Sequence, residues 1–253
     1  MGMSNDAARR DDKQPGASTI AELTSWGRVH DGLRMPCSPE RGNGRSGMEC
    51  AKPASVGAGR GTILRTEHLL LRPFREDDVD AALSYRDDEE FSRFLPHIPQ
   101  PFTRRDAEEF VATNMSEPWD RAPTFAVVLD GTVIGTVNLQ VESATRSAML
   151  GYAIGREHWG QGVATEAARA VVAWGFRTFD LVRVWASTDA RNVRSQRVME
   201  KVGMRREDVR RGHHLGRDGQ PVDEVVYAVG REEWSAIALP GLGANRSSTE
   251  TGQ

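Results

Sequence analysis

The run Trp159-Gly160-Gln161-Gly162-Val163-Ala164-Thr165-Glu166 sets two glycines between an apolar stretch and an amphipathic one. Residues of these types at this spacing make an anion cradle. Glycine leaves backbone N–H groups uncovered, and a helix starting directly afterwards adds its unpaired first-turn donors and the positive end of its dipole. A pyrophosphate suits such a place. Two familiar phosphate loops do not fit. A Walker loop ends in Gly-Lys-Ser/Thr, which is missing, and the dinucleotide fingerprint needs Gly or Ala at the position of Thr165. What remains is Gly-x-Gly-x-Ala before a helix, a pattern that a tight turn without any ligand also satisfies.

The elements around the cradle follow from apolar periodicity. Residues 148–154 form a short apolar run bounded by Gly155-Arg156 and read as a buried strand. Downstream, Val163, Ala167, Ala170, Val171, Trp174 and Phe176 recur at helical spacing. A second strand-loop-helix unit follows directly: residues 183–188 alternate like a strand, residues 189–192 form a polar turn, and Val193, Val198, Met199 and Val202 describe a short helix closed by Gly203. Asn192 and Ser195 sit at the start of that helix, where serine is also an ordinary cap.

Earlier elements are a strand over 69–74, a helix near 77–85 with Val79, Ala82 and Leu83 inward, and a proline-interrupted loop over 95–101. Thr103 and Asp106 make a capping box that should start a helix reaching about Met115. A hairpin follows, with strands 124–129 and 132–141 around the Asp130-Gly131 turn, and a last pair of strands is joined at Asp218-Gly219. The sum is a single α+β domain with a mixed, mostly antiparallel central sheet flanked by helices, and not a doubly wound parallel sheet.

Composition divides the 253 residues unevenly. Residues 1–61, rich in Gly, Ser, Pro, Arg and Asp, lack a sustained apolar period and read as a disordered arm; 62–237 form the domain, and 238–253 a disordered tail. Within the arm, residues 20–26 make at most one amphipathic turn, and Met48 offers an alternative start. Cys37 and Cys50 both fall in the arm, so disulfide scaffolding, a thiol nucleophile and a cysteine-based zinc site are poor readings for the domain. No metal is expected. A net charge of -3 gives no push toward nucleic acid, and neither a membrane span nor a secretory start is evident, so the expected location is cytoplasmic. Arg205, Arg206, Arg210 and Arg211 are an exception that reads first as a solvent face and second as a contact for an acidic acceptor or a phosphate.

The ordered set Trp159 to Ala167, Asn192-Val193-Arg194-Ser195 and Met199 to Met204, opened by His68 to Phe74 and closed by Asp218 to Tyr227, resembles the GCN5-related N-acetyltransferases. Within that family it is similar to the RimJ and RimL ribosomal-protein N-terminal acetyltransferases. The resemblance runs from about Thr62 to Trp234. It implies acetyl-CoA as co-substrate, with Trp159, Gly160, Gln161, Gly162, Val163, Ala164 and Thr165 at the pyrophosphate. The backbone of Tyr152, Ala153 and Ile154 would pair with pantetheine in a cleft where the sheet splays, and one N–H there would polarise the thioester carbonyl. Asn192 would bond the pantetheine amide.

Many relatives carry a Tyr acid where this chain has Met199, so Ser195 becomes the implied proton donor, and Trp159 stands where many members have Arg or Gln. For the base, His213 and His214 lie on a strand whose neighbours face opposite ways, and His214 is the favoured one. Asp223, Glu224 and Glu142 are carboxylate alternatives, while Glu166 complements the helix dipole. The expected reaction is direct acetyl transfer to a primary amine, first a protein N-terminal α-amine, alternatively an aminoglycoside, peptide antibiotic or polyamine; a non-catalytic acyl-CoA-binding module is a further option. Residues 91–102 and the last two strands should contact the acceptor, and the acidic run 87–90 would attract a cationic one. A homodimer is left open.

Overall fold

The computed structural model describes residues 61–238. The predicted arm, with Cys37, Cys50, Met48 and residues 20–26, and the predicted tail beyond 238 lie outside the described residues.

The described residues form an eight-stranded sheet in the order β1-β2-β3-β4-β5-β6-β8-β7. After β1 (Leu64–Arg65) and β2 (Leu70–Arg72) come α1 (Val79–Arg86), α2 (Glu89–Ser92) and α3 (Arg104–Ser116). Then follow β3 (Thr124–Leu129), β4 (Thr132–Glu142), β5 (Ser147–Ile154), α4 (Val163–Thr178), β6 (Arg183–Asp189) and α5 (Val193–Val202). The described part closes with β7 (Arg205–Leu215), β8 (Pro221–Gly230) and α6 (Arg231–Ala238). Every neighbouring pair is antiparallel except β5 with β6. The mixed α+β reading holds.

Strand β3 shows why the sheet is covered on both faces. Phe125 and Val127 pack into one apolar cluster with Ala167 and Val171 of α4, Met199 and Val202 of α5 and Trp234 of α6. Ala126 and Val128, pointing the other way, join Ala82 of α1, Phe91 of α2 and Phe110 of α3. A fully buried side chain of this size contributes about 1.5–3 kcal/mol, so the two layers hold the sheet between them.

The capping box at α3 forms as expected: Asp106 N donates to Thr103 Oγ1 (3.3 Å) and Thr103 N to Asp106 Oδ2 (2.7 Å). One local expectation needs correction and two need completing. The strand placed over 69–74 covers only Leu70–Arg72, because the Arg72 guanidinium turns back to a bidentate, buried pair with Asp78 (2.7 and 2.8 Å) and the chain enters a 3-10 turn at Glu76–Asp78. In α1 the buried residues are Ala82, Tyr85 and Arg86, with Val79 and Leu83 only half-buried. The Arg86 guanidinium lies 3.9 Å over the Phe110 ring and 5.2 Å from that of Phe102, which lets a cation occupy an apolar face. Glu166 does more than face a dipole: its carboxylate accepts from His68 N (2.9 Å) and pairs with His68 Nδ1 (3.1 Å), fastening the segment before β2 to the first turn of α4.

At Gly135 of β4, the backbone of β5 presses close on its neighbour. A Cβ there would stand 2.5 Å from the Ala153 carbonyl oxygen. Gly135→Ala is expected to cost about 1–3 kcal/mol through forced displacement of β5, read as a lower urea midpoint with an unchanged m-value.

The His68–Glu166 pair predicts a titration. Its hydrogen bond to Glu166 raises the His68 pKa above 6.5. For Glu166, burial works against the charge, but hydrogen bonds from the Thr66 side chain and from His68 outweigh it and lower the pKa. The histidine contribution to stability is present below its unfolded pKa and lost as pH rises through the raised value; the glutamate contribution is lost as pH falls through the lowered one. NMR titration of the His68 ring should give a midpoint above 6.5 that returns toward 6.5 in Glu166→Gln.

Candidate functional site

The chain leaves β5 at Ile154, makes a 3-10 turn over Arg156–His158, and reaches α4 through two left-handed glycines, Gly160 (φ 78) and Gly162 (φ 86). A Cβ on either would meet nothing within 4 Å, so backbone conformation, not crowding, requires glycine here. The open space is a cavity of about 440 Å³ that both glycines line. Gly162 supplies no side-chain cap, and the first turn of α4 closes with Glu166 N on the Gly162 oxygen (3.0 Å). The N–H groups of Val163, Ala164 and Thr165 precede that bond, and these residues line the cavity. An anion there would meet uncapped donors and the positive helix end.

Two side chains fix the loop. Trp159 Nε1 donates to the Ile154 oxygen (2.6 Å), and Gln161 Nε2 to the Glu157 oxygen (2.9 Å). Trp159 therefore packs the loop while also lining the cavity, with the Arg194 guanidinium 4.9 Å over its ring. Gln161 is the only residue of the predicted cradle absent from the lining.

The opposite wall comes from a divergence in the sheet. β5 and β6 pair only at Ser147–Arg183, Ala148–Val184 and Met149–Trp185. Beyond these, β5 stays on β4 as far as Ile154 and β6 stays on β8 as far as Asp189. The splay expected from resemblance is present, and Tyr152, Ala153 and Ile154 line the cavity beside it. Asn192 and Ser195 line it from α5. Asn192 Oδ1 already accepts from Ser195 N (3.2 Å) as the helix cap, leaving its amide N–H groups as the donors for another partner.

Residues 68–205 match the model of the acetyltransferase (GNAT) domain, more than half of the 253 residues. The chain belongs to the GNAT acetyltransferase family. It is an acetyl-CoA-dependent acyltransferase on that ground. It is 31% identical to the uncharacterized N-acetyltransferase YnaD of Bacillus subtilis over 68% of this chain and 99% of that one. A GNAT-family acetyltransferase from Bacillus anthracis, of known crystal structure, is 29% identical with a TM-score of 0.61, covering 68% of this chain and 99% of that one. An Escherichia coli alanine N-acetyltransferase of ribosomal protein uS5 is 30% identical over 41% of this chain and 54% of that one.

Within this GNAT domain the expected base is not where the cavity is. His214 sits on β7 opposite Val222, and neither it nor His213 lines the cavity. The strand order is the reason: β8 lies between β7 and β6, so β7 stands at the sheet edge, away from the β5–β6 gap, and its register also shifts between Arg210 and His214, with Gly212 at φ 55. His213 turns to Glu224 (Nε2 to Oε2, 3.6 Å), and Glu224, fully buried, also takes the Arg210 guanidinium at 3.1 Å. Asp223 accepts from Gly212 N (2.9 Å), so it orders the irregular stretch of β7; the Asp218-Gly219 turn is ordered by Asp218 itself, which accepts from Gln220 N at 3.1 Å. Glu142 accepts from Ala144 N in its own turn. Of the arginine patch, Arg205 pairs with Glu233 (2.9 Å) and Arg210 with Glu224, and none of the four lines the cavity.

Two features escaped the sequence reading, and a third narrows it. Arg194, Arg197 and Lys201 of α5 line the cavity, a cationic stripe legible in their helical spacing. Of the acidic run 87–90 only Glu90 reaches the cavity: Asp87 accepts from Phe102 N (3.0 Å) and Asp88 from Phe91 N (2.8 Å), where it caps α2. Most consequential is the Tyr152 side chain. Its hydroxyl lies 2.8 Å from Ser195 Oγ and donates to the Ser195 carbonyl at 3.0 Å, and burial raises its pKa against the effect of the serine bond. Nothing in the strand pattern singles it out, since residue 152 contributes there through its backbone. Among the described residues no group of three or more His, Cys, Asp or Glu could hold a metal ion.

Gly162→Asp tests the cradle. A carboxylate and a Cβ at positive φ are expected to weaken coenzyme A binding at least about tenfold, since an L-residue there costs about 1–2 kcal/mol and a like charge adds to it. Calorimetric titration reads the affinity, and thermal unfolding reports whether the fold is kept.

Proposed function

We propose that the chain moves the acetyl group of acetyl-CoA directly to a primary amine, with a protein N-terminal α-amine as acceptor. The observation that carries this reading is the meeting, on one cavity, of the uncapped α4 donors, the unpaired edge of β5 and the Ser195 hydroxyl. Pyrophosphate would lie against residues 160–165, and the cations Arg194, Arg197 and Lys201 add attraction for the remaining phosphate charge. Pantetheine would run along the backbone of Tyr152, Ala153 and Ile154 as an added strand.

The chemistry then asks little of side chains. The amine lone pair attacks the thioester carbon, a C–N bond forms, and the oxyanion is met by a β5 N–H. The C–S bond breaks, Ser195 Oγ–H protonates the departing thiolate, and the proton lost by nitrogen passes to solvent and back to Oγ. With His214 away from the cavity, an amine that arrives neutral removes the need for a dedicated base. The acceptor side is walled by Glu90, Phe91, Phe94 and Leu95, a carboxylate among apolar groups that suits a cationic amine on an apolar chain. The α-amine of a protein is favoured by the likeness to the uS5 alanine acetyltransferase.

Thiol release from acetyl-CoA, followed with pools of N-terminal peptides and separately with polyamines and aminoglycosides, tests the acceptor class. Turnover confined to the peptide pool is expected; turnover confined to the small amines overturns the protein acceptor. Ser195→Ala should lower kcat about ten- to a hundredfold with the KM for acetyl-CoA little changed, and an unchanged rate removes the serine from the acid role.

A further inference from the structure

Ser195 is the third residue of α5, a position where a serine proton can turn back on a carbonyl of the preceding turn and be lost to the cavity. The neighbour across the cleft decides its direction. Tyr152 Oη lies 2.8 Å from Ser195 Oγ and 3.0 Å from the Ser195 carbonyl oxygen. Phenol and serine carry one proton each, so two arrangements exist. In one, the phenol proton is shared between Oγ and the Ser195 carbonyl oxygen, and the serine proton is released toward the cavity that both residues line. In the other, the phenol donates to the carbonyl and the serine proton points back at the phenol oxygen. Both hold Oγ in place, but only the first presents a proton to a ligand.

We propose that Tyr152 is a positioning residue for proton delivery: its hydroxyl, donating to Ser195 Oγ, aims the serine proton into the cavity. The inference rests on Ser195 being the donor to the departing thiolate. Burial keeps the phenol protonated well above the ordinary tyrosine range. A phenol held that way is a persistent hydrogen-bond donor and a poor source of its own proton for a thiolate. Its proton stays on Oη as the bond that holds Oγ, while the serine hydroxyl relays: Oγ gives its proton to sulfur as the proton lost by nitrogen reaches Oγ through solvent, so no free alkoxide forms. The contact spans residues from β5 and α5, the two elements that the splay of the sheet sets face to face. Phenol and serine thus close the cleft at the point where the chemistry needs a directed donor.

A double-mutant cycle tests this with Tyr152→Phe, Ser195→Ala and the pair together. Two readouts serve: kcat with acetyl-CoA and the N-terminal peptide pool, and the pKa of the thiol of bound coenzyme A, followed by ultraviolet thiolate absorbance. The second needs no acceptor. Tyr152→Phe is expected to lower kcat about three- to tenfold, the worth of one hydrogen bond, to leave the KM for acetyl-CoA within about twofold, and to raise the thiol pKa. The double variant should match Ser195→Ala in both readouts, because the phenol acts through the serine. Ser195→Thr, which keeps a hydroxyl, should remain sensitive to Tyr152→Phe. Should phenylalanine prevent folding, Tyr152→Met replaces it in the cycle.

The proposal is overturned if Tyr152→Phe changes neither readout, or if its effect persists undiminished on Ser195→Ala. A Ser195→Ala enzyme with wild-type values in both readouts overturns the serine assignment and this inference together. A slow Ser195→Ala with an inert or additive Tyr152→Phe overturns only the role of Tyr152.

Discussion

The brevity of the β5–β6 pairing is the constraint on which the rest of the structure depends. Two parallel strands hold for three residue pairs and then part, each kept straight by an antiparallel neighbour on its far side. Parallel strands need a crossover, and α4 supplies it, so the helix must begin at the end of β5 where the gap opens. The left-handed Gly160 and Gly162 are what permit so abrupt an entry. The helix start, the open strand edge and the beginning of α5 thus converge because of one topological choice.

The same arrangement brings charges of both signs to one cavity, whose lining includes the α4 N-terminus and the α5 cations together with Glu90 and its aromatic neighbours. Ion pairs tie the margins: Arg156 to Asp88 at 3.2 Å and Arg194 to Glu90 at 3.8 Å. From the β7–β8 hairpin, Arg217 donates to the carbonyl oxygens of Leu95 (3.0 Å) and Ile98 (2.6 Å), so the proline-rich loop is held by a guanidinium from a distant turn. Such contacts between exposed groups are weak singly, and their value lies in giving the loop a defined place.

How much of this was legible follows from the range of each interaction. Periodicity and capping are local, so the Thr103 box, the Asp130-Gly131 hairpin, α4 and the Gly203 stop of α5 read directly from the residues. The cradle was legible for the same reason. Contacts made across the fold were not: Arg86 among phenylalanine rings, Glu166 on His68, and Tyr152 on Ser195 join residues whose adjacency no local pattern announces. His214 shows the reverse failure. Alternation assigns a residue to a face, but the strand order places β7 at the edge of the sheet with β8 between it and β6, so neither face of β7 borders the gap between β5 and β6.

The unpaired stretch of β5 has a consequence for the domain as a whole. Pantetheine lying along that edge, as proposed, would supply the missing rung, and the donor substrate would then double as a structural element. Its binding is then written into the folding equilibrium by mass action, at about 2.7 kcal/mol when present at a hundred times its Kd. The resistance of this protein to unfolding would track the acetyl-CoA supply of its surroundings, and scarcity of the metabolite would shorten the life of the enzyme as well as slow its turnover.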